Sequence, residues 1–169
     1  MNSTNASSMI ELLDDSNIQK FKEYVLNLVT QISKDIGKPM AETQLEIIDR
    51  GIPHEQPKGK PDEKTGVYMF YNPKEECFLK IGKVGLKSNA RFCSQHYNVS
   101  DKTKSSLANS LLNDENMVRK YNLSKENIGD WIKKNCRRID ILIDESLGQF
   151  ANELIEASLH YRFNPKYEG

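Results

Sequence analysis

Apolar residues recur at Ile18, Phe21, Val25, Leu28 and Ile32, in steps of three and four. Such steps fall on one stripe of an α-helix and predict an amphipathic N-terminal helix. Asp15 or Ser16 can cap its start, and Gly37-Lys38-Pro39 stops it. A second short helix is expected over about 41–50, ended by Gly51 and Pro53. From 52 to 65 the periodicity gives way to three prolines and six charges, the composition of a linker. The pattern then changes to that of strands. Val67-Tyr68-Met69-Phe70-Tyr71 is broken by Asn72-Pro73 and followed by Cys77-Phe78-Leu79-Lys80-Ile81, a β-hairpin. Residues 83–97 are expected as a helix, with a further short helix around Leu107, Leu111 and Leu112. A polar stretch leads to Ile128 and Ile132, and residues 138–143 alternate into an Ile-Leu-Ile run that predicts a third strand. The last helix is expected over about 147–162, with Phe150, Leu154, Ile155, Ala157 and Leu159 on its apolar face.

These elements describe an α+β fold, a small three-stranded antiparallel sheet (67–71, 78–82 and 139–143) flanked by helices. Residues 1–8 are a polar Asn/Ser tail expected to be disordered, 9–51 a helical extension, 52–65 a linker and 66–169 the main domain. The 169 residues are enough to bury a real core. Charged residues make up 28% and the formal net charge is zero, which weighs against a non-specific polyanion binder held by global charge and leaves room for a local basic groove. No apolar run reaches the roughly 18 residues of a membrane span. The three cysteines, Cys77, Cys93 and Cys136, are odd in number and widely spaced, which points to free thiols and a cytoplasmic location. Cys93-x-x-His96 is half of a zinc site, and no second pair matches it.

Several residues carry the means for phosphodiester hydrolysis, which needs an activated water and neutralisation of charge on the phosphoryl and leaving oxygens. Tyr68 is a candidate for the first role if nearby positive charge favours its anion, and Lys80 across the hairpin is the candidate source of that charge. Arg91 offers a rigid fork of donors for phosphate oxygens, among Lys83, Lys87, His96 and Tyr97. His96 is a candidate proton carrier or phosphate donor. Glu156, at the border of the last helix's apolar face, can hold one Mg²⁺ with water and substrate oxygens completing the shell. Each has a plain alternative: a strand aromatic, an exposed lysine, a solvated arginine, a helix-end histidine, and a surface contact between Glu156 and His160.

In order, Gly66-Val67-Tyr68, eleven intervening residues, Lys80-Ile81-Gly82, Arg91 and Glu156 resemble the GIY-YIG nuclease superfamily across 66–169. Val67 stands for an isoleucine, and Lys80 stands where the second motif usually has tyrosine. The resemblance implies a metal-dependent endonuclease acting on nucleic acid, most often DNA, with Mg²⁺ or another divalent cation such as Mn²⁺ on Glu156. It assigns catalysis to Tyr68, Lys80, Arg91 and Glu156 and, by its position after the glutamate, a substrate contact to Asn164. The reading of the residues themselves adds His96 as a catalytic candidate and Lys83, Lys87 and Tyr97 as candidate substrate contacts. The segment 98–135 is longer than a minimal domain of this kind needs, and its Lys102, Lys104, Lys133 and Lys134 are further candidates for nucleic-acid contact. Two other readings fit the chain: a non-catalytic nucleic-acid-binding module, and a protein-interaction domain that forms a homodimer through Ile18, Phe21, Val25 and Leu28.

Overall fold

Strand β4 (Arg137–Asp144) lies inside the sheet, between the short β1 (Leu45–Asp49) and β2 (Lys64–Asn72), and β3 (Cys77–Val84) closes the far edge. The computed structural model describes residue 13, residues 17–102 and residues 105–167. The 1–8 tail, the Asp15 and Ser16 caps and Lys104 lie outside those residues. All three pairings are antiparallel, so the expected class holds while the sheet gains a fourth strand.

That fourth strand corrects the helix expected over 41–50. Only Glu42–Gln44 turn, as one 3₁₀ turn, and Leu45-Glu46-Ile47-Ile48-Asp49 is extended and paired with β4. Leu45 and Ile47 pack on one side of the sheet and Ile48 on the other, the period of two that a strand imposes. The neighbouring edge of β4 needs hydrogen-bond partners, and a short segment with two β-branched residues supplies them. Lys64 and Thr65, expected as linker, already belong to β2.

Helices α1 (Ile18–Asp35) and α6 (Gln149–Phe163) cover one face, where Phe21, Val25, Val29, Ile155 and Leu159 meet Val67, Met69, Ile81, Ile139 and Ile141. Phe21 and Val25 have no exposed surface, so the stripe suggested as a dimer face is spent on the chain's own core. Ile32 of that stripe is only half-buried, and Val29 and Ser33 are buried in its stead. On α6, Phe150 and Ala157 are exposed, a correction to the expected apolar face, since the helix turns Ala151, Ile155 and Leu159 to the sheet.

The other face carries four short helices, α2 (Asn89–Cys93), α3 (Leu107–Asn113), α4 (Glu115–Tyr121) and α5 (Ile128–Asn135), around Tyr68, Phe70, Phe92, Leu107, Leu111 and Ile132. The helix expected over 83–97 is therefore much shorter. Lys83 and Val84 belong to β3, and the turn at 85–88 separates them from α2. No helix among the described residues is long and apolar enough to cross a membrane. The described cysteines are all free thiols, Cys93 and Cys136 buried and Cys77 half-buried.

Beneath the second face lies an ion network that the apolar reading of β4 passed over. Arg138 is fully buried and donates to Asp140 Oδ1 at 2.8 Å, to Tyr97 Oη at 3.0 Å and to the Phe92 carbonyl at 2.7 Å. Its guanidinium lies 5.3 Å from the Phe70 ring centroid and 4.9 Å from that of Phe92. Arg50 grips the other oxygen of Asp140 from the end of β1. The Tyr97 phenol continues the chain to His54 Nε2 at 2.9 Å, and His54 Nδ1 donates to the Cys136 carbonyl at 2.8 Å. A single buried carboxylate thus bridges two guanidiniums and offsets one of their two charges, and removing it leaves both without their shared counter-ion. Asp140→Ala should cost about 3–5 kcal/mol of unfolding free energy, read from the chemical-denaturation midpoint. A loss below about 1 kcal/mol would show that water already shares these charges.

Candidate active site

The site is built where β3 has no further strand beside it. The N–H of Lys83 donates to Glu156 Oε1 at 2.9 Å, and His160 Nε2 donates to the Ile81 carbonyl at 2.9 Å. Farther along, the N–H groups of Lys166 and Tyr167 reach the carbonyls of Phe78 and Leu79 at 2.8 and 2.9 Å. Side chains of α6 and the segment after it thus pair the free backbone groups of an edge strand. Glu156 and His160 are four residues apart and share one side of the helix, so both reach the same edge.

Lys80 on β3, Arg91 on α2 and Glu156 on α6 line one cavity of about 210 Å³, together with Ile81, Gly82, Ala157 and His160. Tyr68 stands behind it, with no exposed surface, and accepts a 3.4 Å hydrogen bond from Arg91 Nε. Tyr68 pairs with Gly82 across the hairpin and Phe70 pairs with Lys80, so Tyr68 and Lys80 share a face of the sheet as expected. Tyr71 faces Phe78, which leaves Leu79 as an extra residue, a bulge of the kind that re-aims a neighbouring side chain. Glycine at position 82 is required here: a Cβ would sit 2.3 Å from Tyr68 Oη.

Electrostatics reverse one expectation. Burial pushes the Tyr68 phenol above its ordinary value of 10.0, outweighing the nearby Arg91 charge. Tyr68 is therefore a neutral phenol that holds Arg91, not a ready base. Lys80 is 1% exposed, and its Nζ has no hydrogen-bond partner. Burial lowers its pKa and the Arg91 charge lowers it further, with only partial opposition from Glu156.

Glu156 gives its second oxygen to Lys83 Nζ at 3.4 Å, and Lys83 bridges on to Glu153 at 3.3 Å. Glu153, with its side chain 44% exposed against 22% for Glu156, is the outer carboxylate of the two. Among the described residues no group of three or more His, Cys, Asp or Glu is placed to hold a metal ion. A carboxylate has about four lone-pair positions, and Lys83 engages two partners' worth of them. The donor set therefore fits a Mg²⁺ held by one protein carboxylate with water and phosphate oxygens around it, and does not fit an all-protein cage.

Other expected site residues fall elsewhere. His96 has no exposed surface, does not line the cavity, and packs its ring 4.3 Å from that of Tyr68. Its Nδ1 accepts the Leu107 N–H at 3.2 Å, and its Nε2 has no partner. Tyr97 is a buried member of the Arg138 network rather than a substrate contact. Lys87 is exposed on the turn before α2, off the helix expected over 83–97. Asn164 is exposed and ends α6 in the left-handed conformation, φ 43°, outside the cavity lining. Lys102 is exposed, while Lys133 pairs with Asp130 at 2.6 Å. His160 is the lining residue whose part sequence reasoning missed; its spacing from Glu156 was the available signal. Comparison of the chain with protein-family models, with curated proteins and with solved structures found no match.

Two buried histidines make stability depend on pH. Burial lowers the His54 pKa from 6.5 to about 4, helped by the Arg138 charge and opposed by its bond to Cys136. Burial and the charges of Arg138, Lys80 and Arg91 hold His96 well below 6.5. Each is neutral when folded and binds a proton more readily when unfolded, so its contribution is complete above pH 6.5 and lost as pH falls toward 4. Unfolding free energy should drop over that window, by up to about 3 kcal/mol for His54 alone. His54→Gln should flatten part of the slope in denaturation series between pH 7 and 4. An unchanged slope would mean that His54 titrates alike in the folded and unfolded chain.

Proposed function

We propose that the chain is a divalent-cation-dependent endonuclease of the GIY-YIG type, acting on phosphodiester bonds, with DNA as the expected substrate. The observation that carries this reading is the convergence of Lys80, Arg91 and Glu156, from three separate elements, on one cavity. Two cationic side chains beside one carboxylate form a site for a phosphate and its counter-cation.

In this reading the phosphate oxygens lie against Arg91 and Lys80. The anion supplies the charge that Lys80 lacks and favours its ammonium form. Tyr68 keeps the guanidinium aimed through the bond to Arg91 Nε. The bond from His160 Nε2 to the Ile81 carbonyl makes Nε2 the donor, because a carbonyl only accepts, and leaves Nδ1 outside that bond. His160 is then the group that takes the proton from the attacking water, the role the sequence assigned to Tyr68. The water oxygen bonds to phosphorus, and the bond to the 3′ oxygen breaks. Glu156 would hold the divalent cation, which supplies Lewis-acid neutralisation of the leaving oxygen.

A second reading, phosphate binding without hydrolysis, is favoured by the deep burial and raised pKa of Tyr68. A cleavage assay separates the two. Glu156→Gln keeps an acceptor for the Lys83 N–H and removes the charge, and should lower cleavage of DNA in Mg²⁺ by about two orders of magnitude or more. Glu153→Gln is the control and should matter little. Undiminished cleavage by the Glu156 variant, or cleavage by the native chain in excess chelator, would overturn the mechanism. Binding that weakens with added salt but leaves the DNA uncut would establish the second reading.

Lys80 gives a sharper test, because stability and activity should move in opposite directions. Lys80→Met keeps the length of the side chain and removes a buried polar group that has no partner. Such a change should raise unfolding free energy by about 1 kcal/mol. The same variant should cut at least tenfold more slowly. A variant that is both destabilised and fully active would show that Lys80 serves the fold alone.

A further inference from the structure

Next to the candidate active site, α6 borders a second cavity of about 310 Å³, lined in part by Thr65, Gly85, Leu86, Glu145, Gln149 and Asn152. Asn152 is 4% exposed, and its Nδ2 donates to the Val84 carbonyl at 3.1 Å. A carbonyl cannot donate, so this bond fixes which end of the amide is nitrogen. Oδ1 is left as a buried acceptor without a partner, on a residue that lines the cavity. Buried acceptors are almost always paired, so a hydrogen-bond donor is what this cavity lacks. Leu86, 50% exposed on the turn after β3, offers an apolar surface at the same cavity. The lining contains no Lys or Arg and includes Glu145, which disfavours a second phosphate.

The two cavities are neighbours along one helix. Asn152 and Glu156 are four residues apart on α6, one turn, or about 6 Å. A base and its own phosphate are separated by one sugar, a distance of the same order. We infer that the second cavity is a subsite for an unpaired nucleobase whose phosphate occupies the cavity at Lys80 and Arg91. Asn152 Oδ1 accepts an N–H from the pairing edge of the base, and Leu86 packs against the ring. In a duplex that edge is already paired and the base is held in the stack, so the subsite selects single strands or extruded bases. This inference rests on the nucleic-acid reading of the neighbouring cavity.

The test changes the ligand rather than the fold. Full-length chain is titrated, without divalent cation and at low salt, into labelled hexathymidylate and into the same oligomer methylated at every thymine N3. The two carry the same phosphates, and the second lacks the only ring N–H donor. The methylated oligomer should bind about fivefold more weakly, the effect of one neutral hydrogen bond. Leu86→Ala, on a half-exposed turn, should weaken the unmodified oligomer severalfold. A duplex of equal length should bind more weakly than the single strand. Equal affinity for the two oligomers, with salt-dependent binding intact, overturns the base subsite and leaves the phosphate reading standing. No binding of either oligomer at low salt overturns both.

Discussion

Strand β3 is the last in its sheet, and the N–H of Lys83 and the carbonyl of Ile81 point away from β2 with no strand to meet them. Unpaired backbone groups on an edge invite association with another chain and are costly to bury. Glu156 and His160 answer both groups from α6. The same two bonds fix the carboxylate of one residue and the tautomer of the other at the rim of the cavity that holds Lys80 and Arg91. Placement of the helix, closure of the edge and orientation of the site are therefore one event. A site positioned by backbone pairing is also rigid, because moving Glu156 reopens the strand edge.

The sheet face beneath α2–α5 contains two buried cations with opposite fates. Arg138 has its charge and its donors matched by Asp140, Tyr97 and the Phe92 carbonyl, and it lies against two aromatic rings. Lys80 has nothing. Burial of a matched guanidinium costs little beyond the desolvation its partners repay, while an unmatched ammonium is a standing penalty. A penalty retained inside a fold marks either a strained compromise or a place kept for a ligand. The cavity beside Lys80, and the second cation that lines it, favour the ligand.

How much of this the sequence disclosed depends on where each signal resides. The β2–β3 hairpin, β4 and α1 were legible because period and turn chemistry are local: Val67 to Tyr71 alternate across two faces, and Asn72 Oδ1 accepts the N–H groups of Lys74 and Glu75 to turn the chain. Strand β1 was not, because five residues beside a helix carry too little period, and the exposed edge of β4 decides their state. Arg138 and Asp140 hid within an apolar run, in phase with Leu142, so only tertiary contacts show that their positions are core. Tyr68, Lys80, Arg91 and Glu156 were found as an ordered set. The positions of His160 and Asn152 were not, since they follow from the rotation of α6 about its own axis, which Phe150 and Ala157 show was misjudged.

The charge state of the cavity is set by what fills it. With the cavity empty, Arg91 and burial both oppose a charged Lys80, and the Tyr68 phenol keeps its proton because no charge nearby is strong enough to offset burial. A phosphate placed between Arg91 and Lys80 changes both signs: it stabilises the ammonium and further opposes the phenolate. Lys80 and Tyr68 would then both be proton donors around the anion, and neither could accept the proton of a water nucleophile. Of the residues lining the cavity only His160 carries an imidazole, and its bond to the Ile81 carbonyl leaves Nδ1 outside that contact. On the proposed nuclease reading, the edge strand thus orients the candidate base through a single backbone carbonyl.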